Sequence, residues 1–180
     1  MVPARVASPD HEALGRVAGG DVGALGEVYD RHAKALLRFA SRAAGPSDAE
    51  DVVQTTFVTA ARIAATYDGR TDNARAWLFG VTARVLQERR RALFRLTRAL
   101  RRIASDRSPA PAPSDAHRTD LDRGLLEISE NKRVVLLLAE VEGFTCEEIA
   151  AMLGVPIGTV WTRLHHARKE LRGFYEEGSR

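Results

Sequence analysis

Arginine is concentrated in one segment of the 180-residue chain, where its chemistry suits phosphate binding. Residues 84–102 contain eight arginines and one glutamate, whereas the rest of the chain is slightly acidic and the formal net charge is only +3. Guanidinium groups form paired hydrogen bonds with phosphate, so a block of this density would attract a polyanion at close range. An ordinary solvated helix face is the alternative interpretation of the same block.

A second group of hydrogen-bonding residues follows in the segment IGTVWTRLHHARKEL. Val160, Leu164 and Ala167 recur at helical spacing and predict its buried side. Small and hydroxyl residues near the helix start allow close approach to a DNA groove, and longer donors further along reach phosphates or base edges. The residues expected to contact duplex DNA are Gly158, Thr159, Trp161, Thr162, Arg163, His165, His166 and Lys169.

Other site chemistries have weaker support. His165 and His166 are adjacent on a helix and point about 100° apart, so they do not form an i, i+4 metal pair. Cys146 excludes an intramolecular disulfide, and a partly buried filler is favoured over a redox-responsive thiol. Asp48 and Glu50 suit a helix start. We expect no metal, no cofactor and no enzymatic activity, because the sequence contains no phosphate-binding glycine loop or nucleophile motif.

The elements that must position these residues are predicted to be helices throughout. Apolar residues recur at intervals of three and four without sustained alternation, which predicts an all-α fold. Ser47 to Glu50 has the spacing of a capping box, and Gly45-Pro46 closes the preceding helix. A third helix is predicted to begin after Thr71-Asp72-Asn73. Trp77 lies on its apolar stripe, which favours a core position, although a surface role remains open.

The C-terminal part has the pattern of a helix-turn-helix. Ser129 is a candidate cap for a helix with Val134, Leu137, Leu138 and Val141 inside, and that helix is expected to end at a left-handed Gly143. Thr145 to Glu148 forms a second capping box. The helix that it starts ends at Gly154, whose freedom permits the sharp turn before the last helix.

A composition change separates two modules. Residues 104–120 contain three prolines and no large apolar side chain, so they are predicted to be a linker. The expected division is an N-terminal tail at 1–20, a helical domain at 21–103, this linker, and a helix-turn-helix domain at 121–180. The chain has no apolar run of about 18 residues and no secretory signal pattern, so we expect a cytoplasmic protein without membrane insertion.

The order of these segments resembles bacterial sigma factors of the extracytoplasmic-function (ECF) group. GEVYDRHAKALLRFA, DAEDVVQTTFVTAARIAATYDGR and NARAWLFGVTARVLQERRR look like successive parts of the family's promoter-melting domain. EEIAAMLGVPIGTVWTRLHHARKEL resembles its helix-turn-helix. The resemblance implies a non-catalytic subunit that binds core RNA polymerase, directs it to a promoter and helps to open the duplex.

The resemblance also implies roles for individual residues. Asp51, Gln54 and Thr55 would dock on the polymerase. The C-terminal domain would read the minus-thirty-five element as duplex. The residues that would hold the melted non-template strand of the minus-ten element are Asp68, Arg70, Asn73, Trp77, Arg84, Arg89, Arg90 and Arg91.

Several positions depart from the family pattern. Arg84 stands where an asparagine is frequent, Trp161 where a basic residue is common, and Thr55 where an acid is common. The family resemblance further implies an inhibitory anti-sigma partner. A free-standing helix-turn-helix regulator that acts without polymerase is the alternative function, and an enzyme with a DNA-binding tail is a weaker third.

Overall fold

The computed structural model describes residues 8–67, 73–103 and 120–178, and every regular element in these ranges is helical. The all-α prediction is therefore confirmed. The α-helices in these ranges are α1 (Pro9–Ala18), α2 (Leu25–Ala44), α3 (Pro46–Ile63), α4 (Ala74–Ile103), α5 (Asp120–Glu127), α6 (Glu130–Leu136), α7 (Cys146–Leu153) and α8 (Ile157–Gly178).

Residues 9–18, which fall in the predicted N-terminal tail, instead form α1. The Ser8 hydroxyl accepts a hydrogen bond from the His11 backbone N–H, and Pro9 occupies the first turn. Both features favour a helix start. The helix is held because Ala13, Leu14 and Val17 are buried. This amphipathic helix was not recognised from the sequence.

Helices α2, α3 and α4 build the core of the N-terminal module. The rings of Phe39 and Phe79 meet edge to face at 5.2 Å, and both side chains are fully buried. Gly45 ends α2 with a φ of +99°, as the Gly45-Pro46 pattern predicts. The predicted Ser47 capping box is wrong, because α3 starts at Pro46 and has no side-chain cap. Proline suits the first helical position, so Ser47 falls inside the first turn.

Helix α6 is buried on several sides. Val134, Leu137 and Leu138 are buried as predicted, and so are Val135 and Leu136, because α6 packs against both α8 and α2. Val141 is 49% exposed, contrary to the prediction. The chain continues from α6 into a π-helical turn, Leu137–Val141, whose longer hydrogen-bond step changes the direction of the following side chains.

The two predicted modules pack against each other. Phe79 of α4, which contacts Phe39 on one side, lies 5.3 Å from the ring of Phe144 on the other. Helix α4 also packs along α7, and α2 packs against α5 and α6. The described residues of both modules therefore share one apolar core. Residues 104–119 of the predicted linker lie outside the described residues.

Two charged side chains near the start of α6, the buried Arg133 and the half-buried Glu130, are incompletely paired. Arg133 is only 9% exposed, and its Nε and Nη1 atoms have no hydrogen-bond partner among the described residues. Burial lowers the pKa of Arg133, which Glu130 partly opposes. Burial likewise raises the pKa of Glu130, against the attraction of Arg90 on α4 and of Arg133. Incomplete pairing of buried charges costs stability.

Neutralising Glu130 should stabilise the protein at neutral pH. The folded state binds the Glu130 proton more tightly than the unfolded state does, so the ionised carboxylate destabilises the fold above its folded pKa. Below the ordinary glutamate pKa that penalty is absent. We expect Glu130→Gln to raise Tm at pH 7.5 and to match the wild type near pH 4. Calorimetry against Glu176→Gln, an exposed control, tests this, and a lower Tm at pH 7.5 would contradict it.

Candidate nucleic-acid interface

The helix-turn-helix is set by local hydrogen bonds. The Thr145 hydroxyl accepts from the Glu148 backbone N–H at 3.2 Å, and the Glu148 carboxylate accepts from the Thr145 N–H at 2.8 Å. Gly154 adopts the left-handed conformation with a φ of +64°, which allows the chain to turn sharply into α8. The predicted capping box and glycine turn are confirmed.

Helix α8 presents a polar face beside its buried Val160, Leu164 and Ala167. The Thr162 hydroxyl donates to the Gly158 carbonyl at 2.8 Å, which fixes its orientation in the first turns. The rings of His165 and His166 meet edge to face at 5.6 Å. Six of the eight expected contact residues are exposed, and the remaining two are half-buried. The exposed ones are Gly158, Trp161, Thr162, His165, His166 and Lys169, and the half-buried ones are Thr159 and Arg163.

The start of α4 carries an aromatic surface. Asn73 caps the helix, because its Oδ1 accepts from the Ala76 backbone N–H at 2.9 Å. Trp77 is half-buried and packs on the core, while its ring lies 5.5 Å from that of Tyr67. The core position favoured by the sequence is therefore present, and part of the ring is also accessible to solvent. Asp68 and Arg70 lie outside the described residues.

A cationic row continues along α4 from this aromatic surface. Trp77, Arg84 and Arg91 are spaced by seven residues, which places them on one side of the helix about 10 Å apart. Arg84, Arg90 and Arg91 are exposed. Arg89 points elsewhere and forms ion pairs with Asp48, at 3.2 Å, and with Asp51 of α3. The helix continues to Ile103.

Two helices from different modules enclose a cavity beside Trp77. Its volume is about 610 Å³, and its walls are formed by α4 and α7 together with the segment around Tyr67. The Asn73 Nδ2 donates to the Glu148 carboxylate of α7 at 3.4 Å. Sequence reasoning missed both Tyr67 and Glu148. No local pattern signals the second, since 75 residues separate Asn73 from Glu148.

The expected polymerase-binding residues form a separate surface on α3. Asp51, Gln54 and Thr55 are exposed on the side opposite the buried Val53 and Phe57, as the helical period predicts. Val58, 52% exposed, lies one turn further along and adds an apolar contact area. Such a mixed face suits a protein partner more than a nucleic acid.

In residues 8–67, 73–103 and 120–178, no three side chains of the His, Cys, Asp or Glu types cluster closely enough to bind a metal ion. In the same ranges, no helix has both the length and the apolar character that a membrane crossing requires.

Comparison with known proteins decides the family. Residues 28–96 match the family model for sigma-70 region 2, and residues 118–171 match that for sigma-70 region 4. The ECF RNA polymerase sigma factor SigL of Mycobacterium tuberculosis is 34% identical over 171 residues, which cover 88% of this chain and 94% of SigL. The chain belongs to the ECF sigma factors. It is an alternative sigma factor that directs promoter recognition by RNA polymerase.

Further relatives of this sigma factor agree with the assignment. The RNA polymerase sigma-E factor of Streptomyces avermitilis is 33% identical, with 87% of each chain covered. CnrH, solved with the cytosolic domain of CnrY, superposes with a TM-score of 0.65 at 26% identity, over 94% of this chain and 99% of that one. RpoE of Bartonella quintana, solved with the anti-sigma factor NepR, gives 0.64 at 26% identity, over 79% and 91%.

The two capping boxes predicted from the sequence should differ in energy. Thr145→Ala removes a bonded cap and should lower the free energy of unfolding by about 1 kcal/mol. Ser47→Ala, at the position without a cap bond, should change it by less than about 0.5 kcal/mol. Urea unfolding followed by circular dichroism measures both. Equal losses in the two variants would mean that Ser47 does cap α3.

Proposed function

We propose that the two modules divide promoter recognition between them. The domain at 21–103 binds core polymerase and holds the melted minus-ten strand, the domain at 121–180 reads the minus-thirty-five duplex, and residues 104–120 join them. The observation that supports this proposal most directly is that an aromatic surface and a row of exposed arginines lie along the same side of α4. Aromatic rings stack with unpaired bases, while guanidinium groups support the backbone of a separated strand.

The residues of the melted-strand site have distinct tasks in this proposal. Tyr67 and Trp77 provide the stacking surface at the start of α4, and Arg84 and Arg91 follow the phosphates along the same side. Arg90 is exposed nearby and adds to the positive potential. Arg89 acts indirectly, because its ion pairs with Asp48 and Asp51 tie α4 to α3. Asp68, Arg70 and Asn73 are proposed to complete the site.

Core polymerase is proposed to dock on the α3 face. Asp51, Gln54 and Thr55 offer hydrogen-bonding groups, and Val58 supplies an apolar centre. This face and the arginine row are separate surfaces, so one domain can contact protein and DNA at once. We propose that the protein acts in the cytoplasm, beside the polymerase, and contributes no catalytic group.

Helix α8 is proposed to enter the major groove of the minus-thirty-five element. Gly158 and Thr159 allow the helix start to approach the bases, and His165 and Lys169 reach further along the groove. Trp161 is 57% exposed and offers an apolar surface to a sugar or a thymine methyl group. Thr162 and Arg163 supply a hydroxyl and a guanidinium, and His166 flanks them.

An inhibitory protein partner is also proposed. Two sigma factors that superpose on this chain were solved as complexes, CnrH with the cytosolic domain of CnrY and RpoE with the anti-sigma factor NepR. Their similarity across most of the chain supports an anti-sigma factor that binds both modules of this protein.

Transcription reconstituted from purified parts tests the function. Core polymerase and this protein should produce defined run-off transcripts from fragmented genomic DNA, and RNA sequencing should reveal two shared upstream elements. The protein alone should bind those promoters weakly. Specific footprints by the isolated chain, without transcripts when polymerase is added, would favour a free-standing regulator.

The arginine row should matter for strand opening and not for polymerase binding. Arg84→Ala with Arg91→Ala should lower the permanganate reactivity of promoter thymines about tenfold or more, because two charged hydrogen bonds to the backbone are lost. Affinity for core polymerase should stay unchanged in fluorescence titration. Arg123→Ala with Arg172→Ala removes the same charge from the other module and should leave opening intact. Loss of core binding by the first pair would contradict the division.

A further inference from the structure

The C-terminal part of α4 is exposed all around its circumference, yet it carries a row of leucines. Every side chain from residue 90 to residue 100 is exposed. Leu93, Leu96 and Leu100 are 58%, 55% and 53% exposed. At about 100° per residue, these three leucines fall within a sector of about 60°, and the row that they form is about 10 Å long. This leucine row is therefore an apolar surface that meets water.

The leucine row lies in a wider sector without charge. Ala92 and Ala99 border the row on one edge, and Thr97 borders it on the other. The Thr97 hydroxyl donates to the Leu93 carbonyl at 2.9 Å, so this polar group is satisfied inside the helix. From Ala92 to Leu100, the uncharged sector covers about 160° of the helix circumference. That width is typical of a helix that buries one side against an apolar surface.

Arginines occupy the opposite side of the same helical segment. Their mean direction is about 170° from that of the leucine row. Arg89, at the start of the segment, is paired with Asp48 and Asp51. Phe94 is 69% exposed and lies among the arginines, outside the leucine row. Helices with this division of leucine and arginine are typical of proteins that bind membrane surfaces. The arginines of the opposite side are Arg90, Arg91, Arg95 and Arg98.

The chain itself is a poor candidate for covering the leucine row. The described helices leave the row exposed, and residues 104–119, which follow α4, contain no large apolar side chain. A second copy would bring two arginine-rich helices side by side, and their like charges would repel. Three leucines from each copy also form too small a contact for a stable dimer.

A nucleic acid would use only one side of this segment. Phosphates can pair with Arg91 and Arg98, but the leucine row would remain in water on the other side. The melted-strand site proposed above therefore explains the arginines of α4 and leaves its exposed leucines unexplained.

An anionic membrane surface matches both sides of the segment. Leucine side chains can enter the boundary between the lipid headgroups and the acyl chains. Arg90 and Arg95 lie nearest to the uncharged sector, and their long side chains can reach lipid phosphates at the level of the headgroups. Arg91 and Arg98 add attraction to the negative surface at longer range. A fluid surface also needs no preformed groove, which suits a short row on an isolated helix.

We propose that residues 90–100 of α4 form an interfacial helix that binds membranes rich in anionic phospholipids. The helix lies parallel to the surface, with Leu93, Leu96 and Leu100 below the headgroups, and it does not cross the bilayer. A chain bound in this way remains on one side of the membrane. This inference goes beyond the proposed function and does not depend on it.

Vesicle sedimentation of the full-length protein tests the binding. Vesicles of equal parts phosphatidylglycerol and phosphatidylcholine should bind the wild type about tenfold or more tighter than vesicles of phosphatidylcholine alone. Leu93→Gln with Leu96→Gln should weaken binding to the mixed vesicles about tenfold or more, because apolar surface that enters the lipid is lost. Val22→Gln with Leu121→Gln removes two exposed apolar side chains elsewhere and should leave the affinity unchanged. Circular dichroism checks that each variant is folded.

A charge variant tests the other side of the helix. Arg95→Ala with Arg98→Ala should weaken binding to the mixed vesicles about tenfold, since each arginine near an anionic surface contributes to the attraction. Arg123→Ala with Arg172→Ala removes the same charge from the other module and should have a much smaller effect. Equal losses in the two variants would mean that net charge alone drives the binding, which would overturn the proposed helix.

Fluorescent labels test the orientation directly. In a Cys146→Ser background, Leu96→Cys and Arg98→Cys each provide one thiol for an environment-sensitive dye, and the two positions lie about 160° apart on the helix. Mixed vesicles should shift the emission of the label at position 96 to the blue. The label at position 98 should keep the emission of a dye in water.

Several outcomes would overturn the lipid contact. They are equal affinity for the two kinds of vesicle, full binding after loss of the leucines, and equal shifts of the two labels. A blue shift at position 96 with core polymerase but not with mixed vesicles would instead assign the leucine row to a protein contact. None of these measurements requires transcription, so failure of the lipid contact is distinguishable from failure of promoter recognition.

Discussion

Helix α4 packs against helices of both modules at once, and the arrangement of the two modules depends on these contacts. Phe79 contacts Phe39 of its own module and Phe144 of the other, so a single ring links both cores. Its neighbours Leu78 and Gly80 are buried as well. The proposed function adds an opposite requirement, because Trp77 and Arg84 would have to be reachable by DNA. One helix therefore carries both the packing that joins the two modules and the side chains that are proposed to contact DNA.

Arginine has two physical uses in this chain, and only context distinguishes them. Arg75, Arg89 and Arg168 pair with carboxylates on distant parts of the chain and help to hold the fold together. Arg84 and Arg91 are exposed along one side of α4, where they can bind phosphate. The net charge of the chain does not reveal this difference. An arginine that is paired with a carboxylate contributes little to the local electrostatic potential. A count of arginines overstates the surface available to DNA.

Short-range features were predictable and long-range ones were not. The Thr145 capping box and the Gly154 turn were correct because all their partners lie within a few residues. The predicted Ser47 cap was wrong because α3 starts at Pro46. The predicted burial of Val141 was wrong because a π-helical turn interrupts the regular helical period. The exposed face of α3 followed from helical periodicity alone. The pairing of Arg75 with Glu142, or of Gly80 with Met152, depends on how modules distant in sequence meet, which no local pattern encodes.

The length of α4 has a consequence for where the following segment leaves the domain. Beyond Gln87 the helix runs to Ile103, a distance of about 24 Å at the ordinary helical rise, and the described side chains after Arg89 are exposed. Each residue inserted into this part of α4 would rotate the point at which the chain leaves the helix by about 100°. Insertions of seven residues would nearly preserve the direction, whereas shorter ones would aim the connecting chain elsewhere. The number of residues in α4 thus determines the direction in which the chain leaves the end of this helix.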